Sequence, residues 1–243
     1  MNILIKQARI IDSQSPFHGK VMDVLIEGGI IRSIKSKINK DKNIKTIEQE
    51  GLCISTGWVD MQVNFCDPGF EHKEDLETGV KAAMAGGFTS VAVVSSTNPP
   101  IHTKAQVQYI KKNTIDSMVD VYPIGTISHN QEGKELAEMY DMQQAGAVAF
   151  SDDKKSIAHS GLLMRALLYS KNFNALVMTH CDDKSLSDGG QMNEGVTSTK
   201  LGLKGIPALA EELMIARNIF LAEYCDAPIH IMNVSTQRSV ELI

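Results

Sequence analysis

The stretch WVDMQVNFCDPGFEHKEDLETGVKAAMAGGFTSVAVVSS, residues 58–96, decides the fold of this chain. It opens with an apolar run, passes through a polar loop that contains Pro68 and Gly69, continues as an amphipathic segment over residues 74–87, and closes with a second apolar run over residues 89–96. Strand, loop, helix and strand in this order are typical of a parallel βαβ unit. The stretch therefore predicts an α/β protein built on a parallel sheet.

The same order repeats along the chain. Besides residues 58–65 and 89–96, strands are predicted at residues 120–128, 147–152, 175–181 and 227–235. Further helices are predicted at residues 102–113, 134–146, 161–172 and 207–224. Six units fill the 187 residues from 57 to 243, about 31 residues each, which is close to the roughly 30 residues of a βαβ unit. This regularity predicts a (β/α) TIM barrel.

A complete barrel of this kind has eight strands, whereas six are predicted here. The sequence ends with TQRSVELI, inside the expected sixth helix. We therefore expect a barrel truncated after about six strands and a chain that is a fragment, because an unclosed barrel would expose a strand edge and its apolar interior. An open doubly wound sheet, complete at six strands, is the alternative.

The first 54 residues have a different pattern. Short apolar runs near the start are followed by VMDVLIEGGIIRSI, which predicts a hairpin about Gly28 and Gly29, and then by KTIEQEGLCI. We predict two domains: a small β-sandwich module over residues 1–54 and the barrel over residues 55–243.

Composition excludes several classes of function. The formal net charge of −5 leaves no broad basic surface for nucleic acid, and no apolar run approaches the roughly 18 residues of a membrane helix. The four cysteines form no C-x-x-C pair, so we expect free thiols rather than a zinc knuckle or a disulfide framework. A cytoplasmic protein that binds neither nucleic acid nor membrane is expected.

Function in a parallel barrel lies at the carboxyl ends of its strands. At the end of the first predicted strand, Gln62 and Asn64 share a face, because side chains alternate along a strand. Two histidines there would form a metal-binding pair. Carboxamides offer only a neutral carbonyl oxygen, which suits zinc poorly.

The segment DMQVNFCDPGFEHKEDLETG resembles the dihydroorotase signature D-M-H-V-H-F-R-D-P-G-x-E-x-K-E-D. Six further segments resemble the same family in the same order: TNPP at 97–100, AFSDD at 149–153, THCDD at 179–183, MNEG at 192–195, LGLKGIPALAEE at 201–212 and HIMNVST at 230–236. So many collinear matches are more specific than one short motif. The chain is identified as a member of the dihydroorotases, which are cyclic amidohydrolases of the amidohydrolase superfamily with a metal-dependent TIM barrel.

The resemblance implies a metal site whose ligands are partly replaced. Gln62 and Asn64 stand where the family has its two histidines, and Asn233 stands where it has the histidine after the sixth strand. Asp153 and His180 match the remaining ligand positions. With one histidine and one acid, the set falls below the three protein ligands usual for catalytic zinc.

The resemblance also implies an altered substrate site. Cys66 replaces the arginine that grips the substrate carboxylate, Ser96 replaces an asparagine, and Asn98 is the one remaining amide. Cysteine cannot provide the charged, two-pronged contact of a guanidinium. The acid/base aspartate of the family belongs to the eighth strand, outside the six predicted here, so no catalytic residue is assigned.

Plainer interpretations of the same residues stay open. Asp152 and Asp153 follow a strand and could cap a helix or pair with Lys154 or Lys155. His180 is better explained as a hydrogen-bonded barrel histidine than as a ligand. Cys66 is better explained as a small buried thiol than as a nucleophile.

These replacements favour a catalytically inactive dihydroorotase homologue, without cofactor, related to pyrimidine biosynthesis. The resemblance is to the type associated with aspartate carbamoyltransferase, so the expected role is that of a structural or regulatory partner of that enzyme or of an active dihydroorotase subunit, in a homo- or hetero-oligomer. The alternative is an active cyclic amidohydrolase with a reduced zinc site at Asp153 and His180.

Overall fold

The computed structural model describes residues 2–39 and 44–243 of the chain. It falls into two compact units, Met1–Trp58 and Val59–Ile243. The first unit contains one mixed sheet in the order β3-β2-β1-β4, with β5 also pairing with β1. Its strands are β1 (Asn2–Ile11), β2 (Val21–Glu27), β3 (Ile30–Lys35), β4 (Lys45–Glu48) and β5 (Cys53–Ser55).

The predicted hairpin joins β2 to β3. Gly28 and Gly29 form its two-residue turn, with φ values of 59° and 80°. Positive φ at both central positions is the requirement of the tight turn that suits the twist of paired strands, and glycine meets it at the least cost. The last predicted strand of this region is instead two short strands, β4 and β5, which both run parallel to β1.

The second unit is built on a six-stranded sheet whose strands follow one another in chain order. Its strands are β6 (Trp58–Val63), β7 (Phe88–Val93), β8 (Asp120–Gly125), β9 (Ala149–Phe150), β10 (Leu176–His180) and β13 (Ile229–Met232). All six predicted strands are confirmed. A doubly wound sheet reverses its strand order at a switch point, so the sequential order rules out that alternative and agrees with a barrel sheet.

Helices connect these strands. They are α1 (Leu76–Ala85), α2 (Lys104–Asn113), α3 (Met139–Gln144), α4 (Ser160–Lys171), α5 (Lys184–Ser187), α6 (Val196–Leu201), α7 (Leu209–Cys225) and α8 (Gln237–Leu242). The sequence did not predict a short parallel ladder between β10 and α7, formed by β11 (Met192–Asn193) and β12 (Gly205–Ile206).

One predicted helix was too long. The prediction covered residues 134–146, but α3 begins at Met139. The preceding residues form a loop, in which Leu136 bridges Ser128 and the amide of Ala137 donates to the carbonyl of Ile127 at 2.9 Å. Backbone pairing with the segment after β8 therefore takes the place of a first helical turn.

The two faces of the sheet bury different sets of residues. Val91, Val121 and Phe150 pack outward against the helices. Their neighbours along the strands face inward, where Ile124, Ala149, Met178 and Met232 form a separate inner cluster. Because side chains alternate along a strand, this arrangement decides which residues point toward the barrel mouth.

Within residues 2–39 and 44–243, no helix has both the length and the apolar character that crossing a membrane requires.

Candidate metal centre

Three of the five predicted ligand positions meet at the carboxyl ends of the strands. Asn233 Nδ2 donates a hydrogen bond to Gln62 Oε1 at 3.1 Å, and Gln62 Nε2 donates to Asp153 Oδ1 at 3.2 Å. Residues 62 and 233 are 171 positions apart in sequence. The structure therefore joins these residues in one hydrogen-bonded chain that ends on a carboxylate.

Strand geometry and local backbone conformation direct the three side chains to this point. Val63 packs toward the helices, so Gln62 faces the opposite side, toward the mouth. Asp153 and Asn233 follow the ends of β9 and β13 with φ values of 51° and 56°. Asp and Asn enter this left-handed region more readily than most residues, and the bend there turns each side chain toward Gln62.

The fourth predicted position does not join the chain. Asn64 lies just beyond β6, and its Oδ1 accepts a hydrogen bond from the amide of Cys66 at 2.9 Å. Its side chain is exposed and stabilises its own loop.

His180, the fifth position, ends β10 and is half-buried. Its Nδ1 is buried and has no hydrogen-bond partner among the described residues, so the predicted barrel hydrogen bond is absent at that atom. Burial lowers the pKa of the imidazole below its usual 6.5, and the ring is therefore neutral at neutral pH. A cleft of about 420 Å³ lies beside it, lined also by Glu211, Asn233 and Thr236.

Asp152 has a role that the sequence did not indicate. Its Oδ1 accepts from the amides of Ile127 and Ser128 at 2.8 and 3.0 Å, and its Oδ2 accepts from the Ser128 hydroxyl. The expectation of a helix cap or a lysine pair was wrong for this residue. Burial raises the pKa of the Asp152 carboxyl, and its contacts fix the segment after β8.

The predicted substrate positions lie in neighbouring loops. Cys66 is half-buried with φ 60°, and Ser96 accepts a hydrogen bond from Gln131 Nε2 at 3.3 Å. Asn98 is exposed, and its backbone N–H donates a hydrogen bond to the carbonyl of Pro68 at 2.9 Å. None of these three side chains carries a positive charge that could bind a substrate carboxylate, and neither does that of Gln131.

Two polar contacts beside these loops were missed by sequence reasoning. Gln131 also donates to Ser95 Oγ at 2.9 Å, and the Tyr109 hydroxyl donates to Asp67 Oδ1 at 2.8 Å. The hydrogen bond to Asp67, together with burial, raises the pKa of Tyr109 to about 12. Neither Gln131 nor Tyr109 lies in a recognisable motif. Each contacts a residue 36 or 42 positions away in sequence, so its role becomes visible only in the folded structure.

The side chains present do not fit a catalytic zinc ion. Among the described residues, no group of three or more His, Cys, Asp or Glu side chains is placed to hold a metal. Of the five predicted ligand positions, all within the part of the chain that the structure describes, one carries an imidazole, His180, and one carries a carboxylate, Asp153. The amide group of Gln62 directs an N–H at that carboxylate. Catalytic zinc usually has three protein ligands, drawn from imidazole, thiolate and carboxylate groups.

Sequence comparison relates most of the chain to a known family. Residues 51–239 match the family described as dihydro-orotase-like. A protein named dihydroorotase from Acetivibrio thermocellus is 50% identical, in an alignment that covers 99% of this chain and 56% of that protein. The dihydroorotase of Pelobacter propionicus is 41% identical, with coverage of 100% and 57%. The chain thus spans about half the length of the curated relatives it matches.

Comparison of structures gives the same architecture. An L-hydantoinase (dihydropyrimidinase) from Arthrobacter aurescens superposes with a TM-score of 0.78 at 20% identity, covering 99% of this chain and 55% of that one. Identity this low shows a shared fold and nothing about substrate.

Proposed function

This chain belongs to the dihydroorotase-like family, and we propose that it is a member without hydrolytic activity, which serves pyrimidine biosynthesis as a structural or regulatory partner. The hydrogen-bonded chain from Asn233 through Gln62 to Asp153 carries the proposal. In this hydrogen-bonded chain the polar atoms of the three side chains bond to one another. A hydrolytic centre would need such atoms to contact substrate and water.

The remaining polar groups supply no general base suited to hydrolysis. A base must hold a hydrogen bond to the water it activates. Asp153 Oδ1 already accepts from Gln62, and no acid orients the ring of His180 through its Nδ1 among the described residues. The two groups therefore do not form the paired base and orienting acid that activates water or a nucleophile elsewhere.

Recognition of an anionic substrate is weakened as well. Arginine binds a carboxylate through two parallel charged hydrogen bonds. The loop positions that resemble the family's recognition residues are here Cys66, Ser96 and Asn98, all uncharged, so an orotate-like anion would bind through single neutral contacts.

Zinc content and turnover test the absence of hydrolysis. We expect the purified protein to carry no stoichiometric zinc by elemental analysis, and to leave dihydroorotate intact with or without added zinc. Metal-dependent turnover would overturn the proposal.

A reduced hydrolytic site is the second candidate. The neutral imidazole of His180, whose Nδ1 has no hydrogen-bond partner among the described residues, favours it, because neutral imidazole is the form in which histidine binds metals. In that case His180→Ala would abolish turnover. If the protein is a scaffold, the same variant should leave its binding to a partner unchanged.

For the partner we propose aspartate carbamoyltransferase, on the resemblance of the sequence to dihydroorotases associated with that enzyme. Light scattering coupled to size exclusion should show a complex when the two proteins are mixed. Separate elution over the concentration range of a stable complex would count against this partner, whereas turnover would count against inactivity.

A further inference from the structure

We propose that Gln62 is the centre of a metal-free clamp, formed by Asn233, Gln62 and Asp153, which holds the two edge strands of the barrel sheet to its middle. Such a clamp would order the mouth of the barrel, a role separate from the proposed loss of hydrolysis.

The clamp connects strands that the sheet itself does not connect. Gln62 belongs to β6 and Asn233 follows β13, and these strands are the opposite edges of the six-stranded sheet. Asp153 follows β9, an interior strand. Two hydrogen bonds, of 3.1 and 3.2 Å, thus join three strand ends across the mouth.

A glutamine is chemically suited to the central position. A primary carboxamide carries an acceptor and two donors at the same end of the side chain. Gln62 uses both functions: its Oε1 accepts from Asn233, and its Nε2 donates to Asp153. A histidine at this position has one nitrogen of each kind on opposite sides of a rigid ring, and leucine, of similar volume, has neither.

The backbone at both ends of the clamp supports this assignment. Asp153 and Asn233 adopt φ values of 51° and 56°, in the left-handed region that Asp and Asn enter more readily than most residues, so both ends of the clamp carry a residue type suited to the bend. Asp153 is also buried, and its amide donates to Ser151 Oγ at 3.0 Å. The acceptor at the end of the clamp is therefore held in a fixed position.

The clamp and a metal ion would compete for the same atoms. Asp153 Oδ1 and Gln62 Oε1 both accept hydrogen bonds within the clamp, and Gln62 directs its N–H at the Asp153 carboxylate. Order at the strand ends is therefore independent of divalent metal in this chain, and a chelator should leave the melting temperature of the protein unchanged.

Hydrogen exchange tests the clamp directly. Gln62→Leu removes both hydrogen bonds while keeping the side-chain volume. Exchange of the amides at the ends of β6 and β13 should then become about tenfold faster, since each lost bond lowers the protection of the segments it joins. Asn233→Gly, which keeps the left-handed backbone and loses one of the bonds, should give a smaller increase in the same segments.

Gln143→Leu is the matched control. Gln143 is also half-buried and donates one hydrogen bond, to the carbonyl of Phe173 at 3.2 Å, away from the mouth. Its replacement should leave exchange at the ends of β6 and β13 unchanged. Unaltered exchange there in both Gln62→Leu and Asn233→Gly would overturn the clamp, as would a fall in wild-type melting temperature on adding chelator.

Metal binding by a double variant gives a second measurement. Gln62→His combined with Asn233→His removes the clamp and places two imidazoles beside His180 and Asp153, so the variant should bind Co²⁺, seen by its visible absorption, where the wild type does not. Failure of the variant to bind Co²⁺ would contradict the convergence of these side chains. An inactive protein with unchanged exchange would sink the clamp and leave the proposed function standing.

Discussion

Replacement of Asp152 by alanine should destabilise the barrel unit strongly, although the residue belongs to neither the clamp nor the predicted ligands. The Asp152 carboxylate is buried and accepts from the amides of Ile127 and Ser128 at 2.8 and 3.0 Å. Alanine leaves both amides without this acceptor at a place that water does not reach.

The size of the effect follows from these two donors. A buried donor left unsatisfied costs about 1–3 kcal/mol, so Asp152→Ala should lower the free energy of unfolding by about 2–6 kcal/mol. At roughly 2–4 °C per kcal/mol for a chain of this length, the melting temperature should fall by about 4–24 °C.

Asparagine at the same position separates hydrogen bonding from charge. Its carbonyl oxygen can accept from both amides, and its amide group can donate to the Ser128 hydroxyl, so Asp152→Asn should cost less than about 1.5 kcal/mol. Because burial raises the pKa of the native carboxyl, removal of the charge also removes a desolvation cost, which offsets part of that loss.

Urea unfolding followed by circular dichroism measures these differences. Asp116→Ala, at an exposed loop aspartate, is the control and should stay within about 0.5 kcal/mol of the wild type. If Asp152→Ala unfolds at the same urea concentration as this control, the role assigned to Asp152 is refuted.

Three other perturbations have defined outcomes. Gly69→Ala should destabilise by at least about 3 kcal/mol, because Gly69 has φ 97° and an added Cβ would lie 2.1 Å from the carbonyl oxygen of Asn98; a urea midpoint equal to that of the wild type would contradict this. Burial holds the pKa of His180 below 6.5 in the folded state, so the stability that the neutral ring contributes is complete above pH 6.5 and is lost as the pH falls from there through the lower, folded-state pKa. His180→Gln should therefore flatten the pH dependence of the free energy of unfolding below pH 6.5, and an unchanged slope would count against this assignment. Tyr109 should ionise at about pH 12, followed by phenolate absorbance, and the stability from its raised pKa is present below pH 10 and lost as the pH rises through 12. Asp67→Asn should move this ionisation to lower pH, and no movement would exclude the assigned hydrogen bond.

Periodicity predicted the barrel sheet because it depends on local properties of the chain. Alternating apolar strands and amphipathic helices with glycine ends placed all six strands of the sheet, and the helices α1, α2, α4 and α7 were predicted within a few residues of their observed bounds. It failed where distant backbone decided the outcome. Residues 134–138 have helical composition but pair with the segment after β8, and the β11–β12 ladder forms between segments with no apolar run.

The sequence by itself determined that positions 62, 64 and 233 carry carboxamides and not imidazoles, whatever the fold. Only the tertiary structure decided what these residues do instead. In the folded chain Asn64 bonds its own loop, and Asp152 accepts hydrogen bonds from the segment after β8. Asn233 and Asp153 both come within hydrogen-bond distance of Gln62. Side-chain chemistry is fixed residue by residue, whereas a hydrogen bond between strands 171 positions apart depends on the twist and curvature of the whole sheet, which no local pattern encodes.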